Sequence, residues 1–93
     1  MELLRQRRHE ILKLASQHGA RNVRVFGSAA RGEADGDSDI DFLVELEPDR
    51  TLFDLGALLM DLQDLLGRKV DVVTDDSIYW LLRRRILKEA VSL

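Results

Sequence analysis

The stretch from Val25 to Leu46, VFGSAARGEADGDSDIDFLVEL, constrains the fold more than any other part of this chain. An apolar run stops at Gly27, and a loop rich in Gly, Ala, Asp and Ser follows. A second run then opens with Asp39-Ile40-Asp41. In it, Ile40, Phe42, Val44 and Leu46 fall on alternate positions, the period of a strand with one apolar face. NVRVFG before the loop reads as a first strand, with one helical turn following Ser28. Pro48 ends the second strand, because it cannot donate to a sheet ladder.

Helical patterns surround these strands. Residues 2–18 carry Leu4, Ile11, Leu14 and Ala15 near helical spacing, and Gly19 stands where a C-terminal cap belongs. Thr51 and Asp54 form a capping pair that opens a helix through Leu66. Leu52, Leu55, Leu59, Leu62 and Leu66 make its buried stripe, and Gly67 closes it. Leu58 and Leu65 widen that stripe, which suggests a partner surface. KVDVVT reads as a third strand, and Asp76 or Ser77 caps a last helix running to about Val91. Tyr79 and Trp80 at its start read as core or interface anchors. The order α-β-turn-β-α-β-α predicts an α/β (α+β) fold: a small mixed sheet of at least three strands flanked by helices, with residues 1–93 as a single domain.

Composition narrows the function. With no cysteine among 93 residues, disulfide frameworks and thiolate metal sites are excluded. A net charge of −3 counts against stable nucleic-acid binding, which rests on neutralising several phosphates. Acidic residues crowd 33–49, whereas arginines gather at Arg5, Arg7 and Arg8 and at Arg83 to Arg85. Those arginine groups read as solvated helix faces or as a surface for an acidic partner. No apolar run approaches the ~20 residues that span a bilayer, and the charged N-terminus has no signal-peptide core. The expectation is a soluble cytoplasmic protein without a membrane partner.

The acidic pair carries the chemistry. Asp39 and Asp41 share one strand face, opposite Ile40 and Phe42, with Cα atoms ~7 Å apart. Such carboxylates repel and raise each other's pKa unless a cation intervenes. Mg²⁺ suits them, since it takes one or two carboxylates and completes its shell with water and phosphate oxygens. Gly27 lets the backbone approach a ligand closely. N–H groups and the hydroxyl at Ser28 are placed to hold a phosphate. Arg31, one turn on, is able either to neutralise phosphate charge or to pair with the acidic loop. Asp71, between Val70 and Val72, is out of place on an apolar strand unless its face meets the Asp39/Asp41 side. Three carboxylates are enough for two metal ions, with Asp71 as the base for an incoming hydroxyl.

Gly-Ser, ten intervening residues and Asp-x-Asp, followed by Val-Asp-Val, resemble the nucleotidyltransferase signature of the DNA polymerase β superfamily. The short chain, GRKVDVVT and the ending RRRILKEAVSL look like the minimal nucleotidyltransferases of HEPN/MNT toxin–antitoxin pairs. That resemblance implies a polymerase-β-like nucleotidyltransferase fold. It places Gly27, Ser28 and Arg31 on the nucleotide, and Asp39, Asp41 and Asp71 as catalytic metal ligands. It further implies ATP as substrate with two Mg²⁺ ions, and a HEPN ribonuclease toxin as partner, silenced by AMP transfer to a tyrosine. A homo- or hetero-oligomer is compatible with it. Three alternatives remain at this level: a small-molecule, aminoglycoside-type nucleotidyltransferase; an antitoxin that neutralises by binding alone; and a different Asp-x-Asp enzyme, either a phosphatase, whose motif wants a Thr where Leu43 stands, or a glycosyltransferase, whose fold needs far more chain.

Overall fold

The computed structural model describes residues 2–33, 39–78 and 80–93, the last without the Trp80 side chain. The second half of the Gly27–Asp39 loop and the Tyr79 and Trp80 side chains therefore lie outside the described residues. The elements are α1 (Glu2–Gln6), α2 (Arg8–Gln17), β1 (Ala20–Phe26), α3 (Gly27–Ala30) and β2 (Ile40–Leu46). After them come α4 (Leu52–Leu66), β3 (Val70–Thr74), a 3₁₀ turn (Asp75–Ser77), α5 (Trp80–Glu89) and β4 (Val91–Ser92).

One mixed sheet runs β3-β2-β1-β4. β1 is antiparallel to both β2 and β4, whereas β2 and β3 are parallel. A parallel pair cannot be joined by a tight turn, so a crossover is obligatory. α4 is that crossover, and its ends are written locally. Thr51 Oγ1 accepts from the Phe53 N–H at 3.2 Å, and Asp54 Oδ2 accepts from the Thr51 N–H at 2.9 Å. Gly67 ends the helix in the left-handed region at φ +63°.

Ile40, Phe42 and Val44 of β2, with Ile11 of α2 and Leu58 and Leu62 of α4, form the centre of the core. His18 Nε2 sits 2.6 Å from Asp61 Oδ2, tying the end of α2 to α4. On the opposite sheet face Leu43 is buried too, but Asp41 is half-buried and Asp71 is exposed. That uneven cover leaves one corner of the sheet open to solvent.

Several expectations need correction. Leu52 is 81% exposed and lies off the core stripe, whereas Leu58 is fully buried at its centre. At 100° per residue Leu52 sits about 120° round the helix from Leu58, too far to share its face. Leu65 packs against the core, so the apolar surface of α4 is not made by Leu58 and Leu65. Leu52, Phe53 and Met60 make it instead. Ser77 does not cap α5: its Oγ accepts from the Thr74 N–H at 3.1 Å, closing the 3₁₀ turn. The first helix breaks at Arg7 into two segments. The last ends at Glu89, and Val91 and Ser92 become a fourth strand against Val25 and Arg24. Nor are the arginines of α5 all merely solvated, since Arg83 Nη1 donates to the Asp75 carbonyl at 2.6 Å. Among the described residues no helix is long and apolar enough to cross a membrane.

Candidate active site

Strand register places the acidic residues. Across the sheet Phe26 pairs with Asp41, and Asp41 pairs with Asp71. Partners in register project to the same face, so Asp41 and Asp71 are neighbours beside the point where β1 runs into Gly27. Asp39 lies one residue ahead of β2, on the Asp41 side of the alternation, and is exposed. The apolar alternation of Ile40, Phe42 and Val44 dictates this outcome. Burying those three residues forces Asp41 onto the opposite face.

The charges act on one another. The Asp41 carboxyl is held above its ordinary value, first by partial burial, then by the negative charges of Asp71 and Asp39. Arg31 opposes that rise with its positive charge. Asp71, Asp39 and Arg31 thus all act on the Asp41 carboxyl.

Gly27 is bound into the same corner. Its φ of +70° lies in the left-handed region, where a side chain is strained. A Cβ at this position would also collide with Asp41 Oδ2. A side chain here would meet both a strained backbone and a carboxylate that has to move aside. α3 starts here, anchored by buried Ala29, and leaves Ser28 half-buried at its first turn. The turn closes with Arg31 N–H on the Gly27 carbonyl at 3.2 Å and Glu33 N–H on the Ser28 carbonyl at 2.9 Å.

Of the two roles open to Arg31, the structure displays the pairing with acidic residues. Its Nε donates to Glu33 Oε2 at 3.1 Å, and its Nη1 donates to Glu89 Oε2 at 3.3 Å. The Glu33 hydrogen bond is the main cause of a raised guanidinium pKa. Glu89 escaped the sequence reading, and no local signal could have revealed it, because it arrives from α5 in the distant C-terminal part of the chain.

The donor set fits a hard divalent cation: it is all carboxylate oxygen, and its mutual repulsion is what a cation removes. Among the described residues no group of three acidic or imidazole side chains already stands in metal-holding geometry. The fold supplies adjacency rather than a finished cage. Two hollows of about 240 and 310 Å³ lie elsewhere, one bounded by α1, α3 and β4 and the other by Arg21, Glu45 and the 3₁₀ turn. None of Asp39, Asp41 and Asp71 lines either of these two.

Known proteins share this architecture. Residues 8–93 match the family described as nucleotidyltransferase domain. A Methanocaldococcus jannaschii protein named as a candidate protein adenylyltransferase is 43% identical over 86 residues, covering 92% of both chains. The protein adenylyltransferase MntA of Thermococcus cleftensis is 39% identical over 79 residues, 85% of this chain and 80% of its own. A solved structure described as a candidate minimal nucleotidyltransferase superposes with a TM-score of 0.90 at 50% identity. It covers 99% of this chain and 94% of its own. A more distant crystal structure, of a toxin–antitoxin with AMP-PNP, superposes at 0.78 with 23% identity and so bears on the fold alone. It covers 90% of this chain and 69% of that one. The chain belongs to the nucleotidyltransferase domain family, and as such it is a nucleotidyltransferase enzyme with the mixed α/β fold of the minimal members.

Proposed function

We propose that residues 1–93 form one minimal nucleotidyltransferase domain that acts as an antitoxin in the cytoplasm. It transfers AMP from ATP to a tyrosine hydroxyl of a HEPN ribonuclease toxin, in a hetero-oligomer with that toxin. The observation that carries this reading is the pairing of Asp41 with Asp71 beside the strand end at Phe26, where the main chain of the next residue, Gly27, lies against the Asp41 carboxylate. The relatives named as protein adenylyltransferases support the nucleotide and the protein acceptor.

In this mechanism Asp39, Asp41 and Asp71 hold Mg²⁺, two ions when fully loaded. The bound metal supplies positive charge to the triphosphate and to the attacking and leaving oxygens. Gly27 and Ser28 cradle the β- and γ-phosphates, which approach closely because position 27 carries no side chain. Arg31 neutralises phosphate charge. Asp71, exposed on its strand, takes the proton from the acceptor hydroxyl. The hydroxyl oxygen bonds to the α-phosphorus, the bond from that phosphorus to the α,β-bridging oxygen breaks, and pyrophosphate leaves. Positioning and charge stabilisation provide most of the rate.

Incubating the co-purified pair with ATP labelled at the α-phosphate and Mg²⁺ tests this reading. Label is expected on a toxin tyrosine, and none with the Asp39→Ala/Asp41→Ala variant. Label confined to small molecules would replace the protein acceptor with a small one. A double variant that neutralises the toxin as well as wild type would reduce the protein to a binding antitoxin.

A further inference from the structure

Arg31 enters the proposed site already engaged. Its guanidinium has two edges able to grip an oxyanion bidentately, one through Nε and one through Nη1, both sharing Nη2. Glu33 occupies the first edge and Glu89 the second. A phosphate that takes both donors of either fork therefore competes with a carboxylate already on that guanidinium. The two carboxylates are not equivalent. Glu33 is two residues away and moves with the loop that carries Arg31, and its side chain is 65% exposed. Glu89 comes from α5, is only 23% exposed, and is itself held by Arg85 Nε at 3.3 Å. The second grip thus ties the nucleotide corner to the last helix.

We propose that Glu89 is a positioning residue that competes with the nucleotide's phosphates for Arg31, so that α5 sets how readily the site accepts a triphosphate. This rests on the nucleotide-binding reading above. When the triphosphate arrives, Arg31 turns from Glu89 to phosphate oxygens, and Glu89 keeps Arg85 as its counterion. The exchange swaps one charge-assisted pair for another, so its effect is modest. Exposed pairs of this kind correspond to about a two- to fivefold change in affinity.

Calorimetric titration of the full chain with ATP and Mg²⁺ tests the idea, using wild type, Glu89→Gln, Arg31→Gln and the double variant. Glu89→Gln removes the charge and keeps the shape of this largely covered side chain. It is expected to tighten ATP about two- to fivefold, and in the transfer assay to lower KM with kcat unchanged. Arg31→Gln is expected to weaken binding, and in its background the Glu89→Gln gain vanishes. A merely structural role for Glu89 would loosen binding with or without Arg31. The gain also shrinks as salt is raised, because the competing pair is itself screened. If wild type binds ATP and Glu89→Gln binds it no tighter, or if the gain survives without Arg31, the competition is overturned while the nucleotide reading stands. If wild type binds no ATP with Mg²⁺ at all, both fall together.

Discussion

Gly27 and Asp41 are coupled more tightly than their separation in sequence suggests. Gly27→Ala meets a backbone at φ +70° and a collision with Asp41 Oδ2. The left-handed conformation alone costs a side-chain-bearing residue about 1–2 kcal/mol, and the displaced carboxylate removes a proposed metal ligand. A lower Tm together with loss of AMP transfer is the expected result. An active Gly27→Ala enzyme would contradict the close approach of phosphate. Asp41 itself has a readable pH signature in the metal-free protein. Its folded pKa is raised, so its favourable contribution is complete below the unfolded value, near 3.8, and is lost as pH climbs through the raised folded value. Above that range the charged form is a net cost. Asp41→Asn is therefore expected to melt higher than wild type at neutral pH without metal, and the advantage should disappear in acid. Thermal melts across pH 3 to 8 check it, and a variant less stable at pH 7 would refute the repulsive corner. These residues were legible beforehand because Asp39, Asp41 and Asp71 violate strand chemistry locally. Glu89, by contrast, reads as an ordinary i,i+4 partner of Arg85 on α5, and its reach to Arg31 is purely tertiary.

At the level of elements, α4 divides into two faces that sequence spacing traced through Leu55, Leu59, Leu62 and Leu66 but missed at Leu52 and Leu58. The leucines at 52, 55, 58, 59, 62, 65 and 66 admit more than one stripe, and only packing against β3 and α2 selects the one centred on Leu58 and Leu62. Truncating Leu58 to Ala is expected to cost about 2–5 kcal/mol, as a fully buried leucine does. Phe53→Ser, at a position 90% exposed, should leave stability within about 0.5 kcal/mol of wild type. Equal losses from the two changes, measured by denaturant unfolding, would mean the faces are reversed. The capping box was readable because it is written in four adjacent residues, Thr51 to Asp54. β4 was not, since two residues carry no period, and its pairing with Arg24 and Val25 is purely tertiary. The edge of β3 shows a further device of this kind. With Ile40 N–H on the Lys69 carbonyl, the parallel pattern turns the N–H groups of Val70 and Thr74 outward. Gln63 Oε1 and Ser77 Oγ accept from them, which closes both ends of that edge to strand addition by another chain.

Across the whole molecule, charge and fold are arranged so that the protein is completed by what it binds. The sheet buries one face under α2 and α4, while the acidic corner of the other face carries a repulsion that no neighbouring cation fully offsets. Arg31 lies close enough to lower the Asp41 pKa, yet Glu33 and Glu89 share its charge. Binding of Mg²⁺ with a non-hydrolysable ATP analogue should therefore stabilise the fold as well as occupy the site. A ligand at about 100 times its Kd adds about 2.7 kcal/mol. In a chain of this length each kcal/mol moves Tm by about 4–8 °C. A rise of roughly ten degrees or more is thus expected at saturation, smaller with Mg²⁺ alone, and reversed by chelation. Asp39→Ala/Asp41→Ala should start from a similar or higher Tm and show almost no shift, because it lacks both the repulsion and the ligands. A double variant stabilised as strongly as wild type would place the metal–nucleotide site away from these carboxylates.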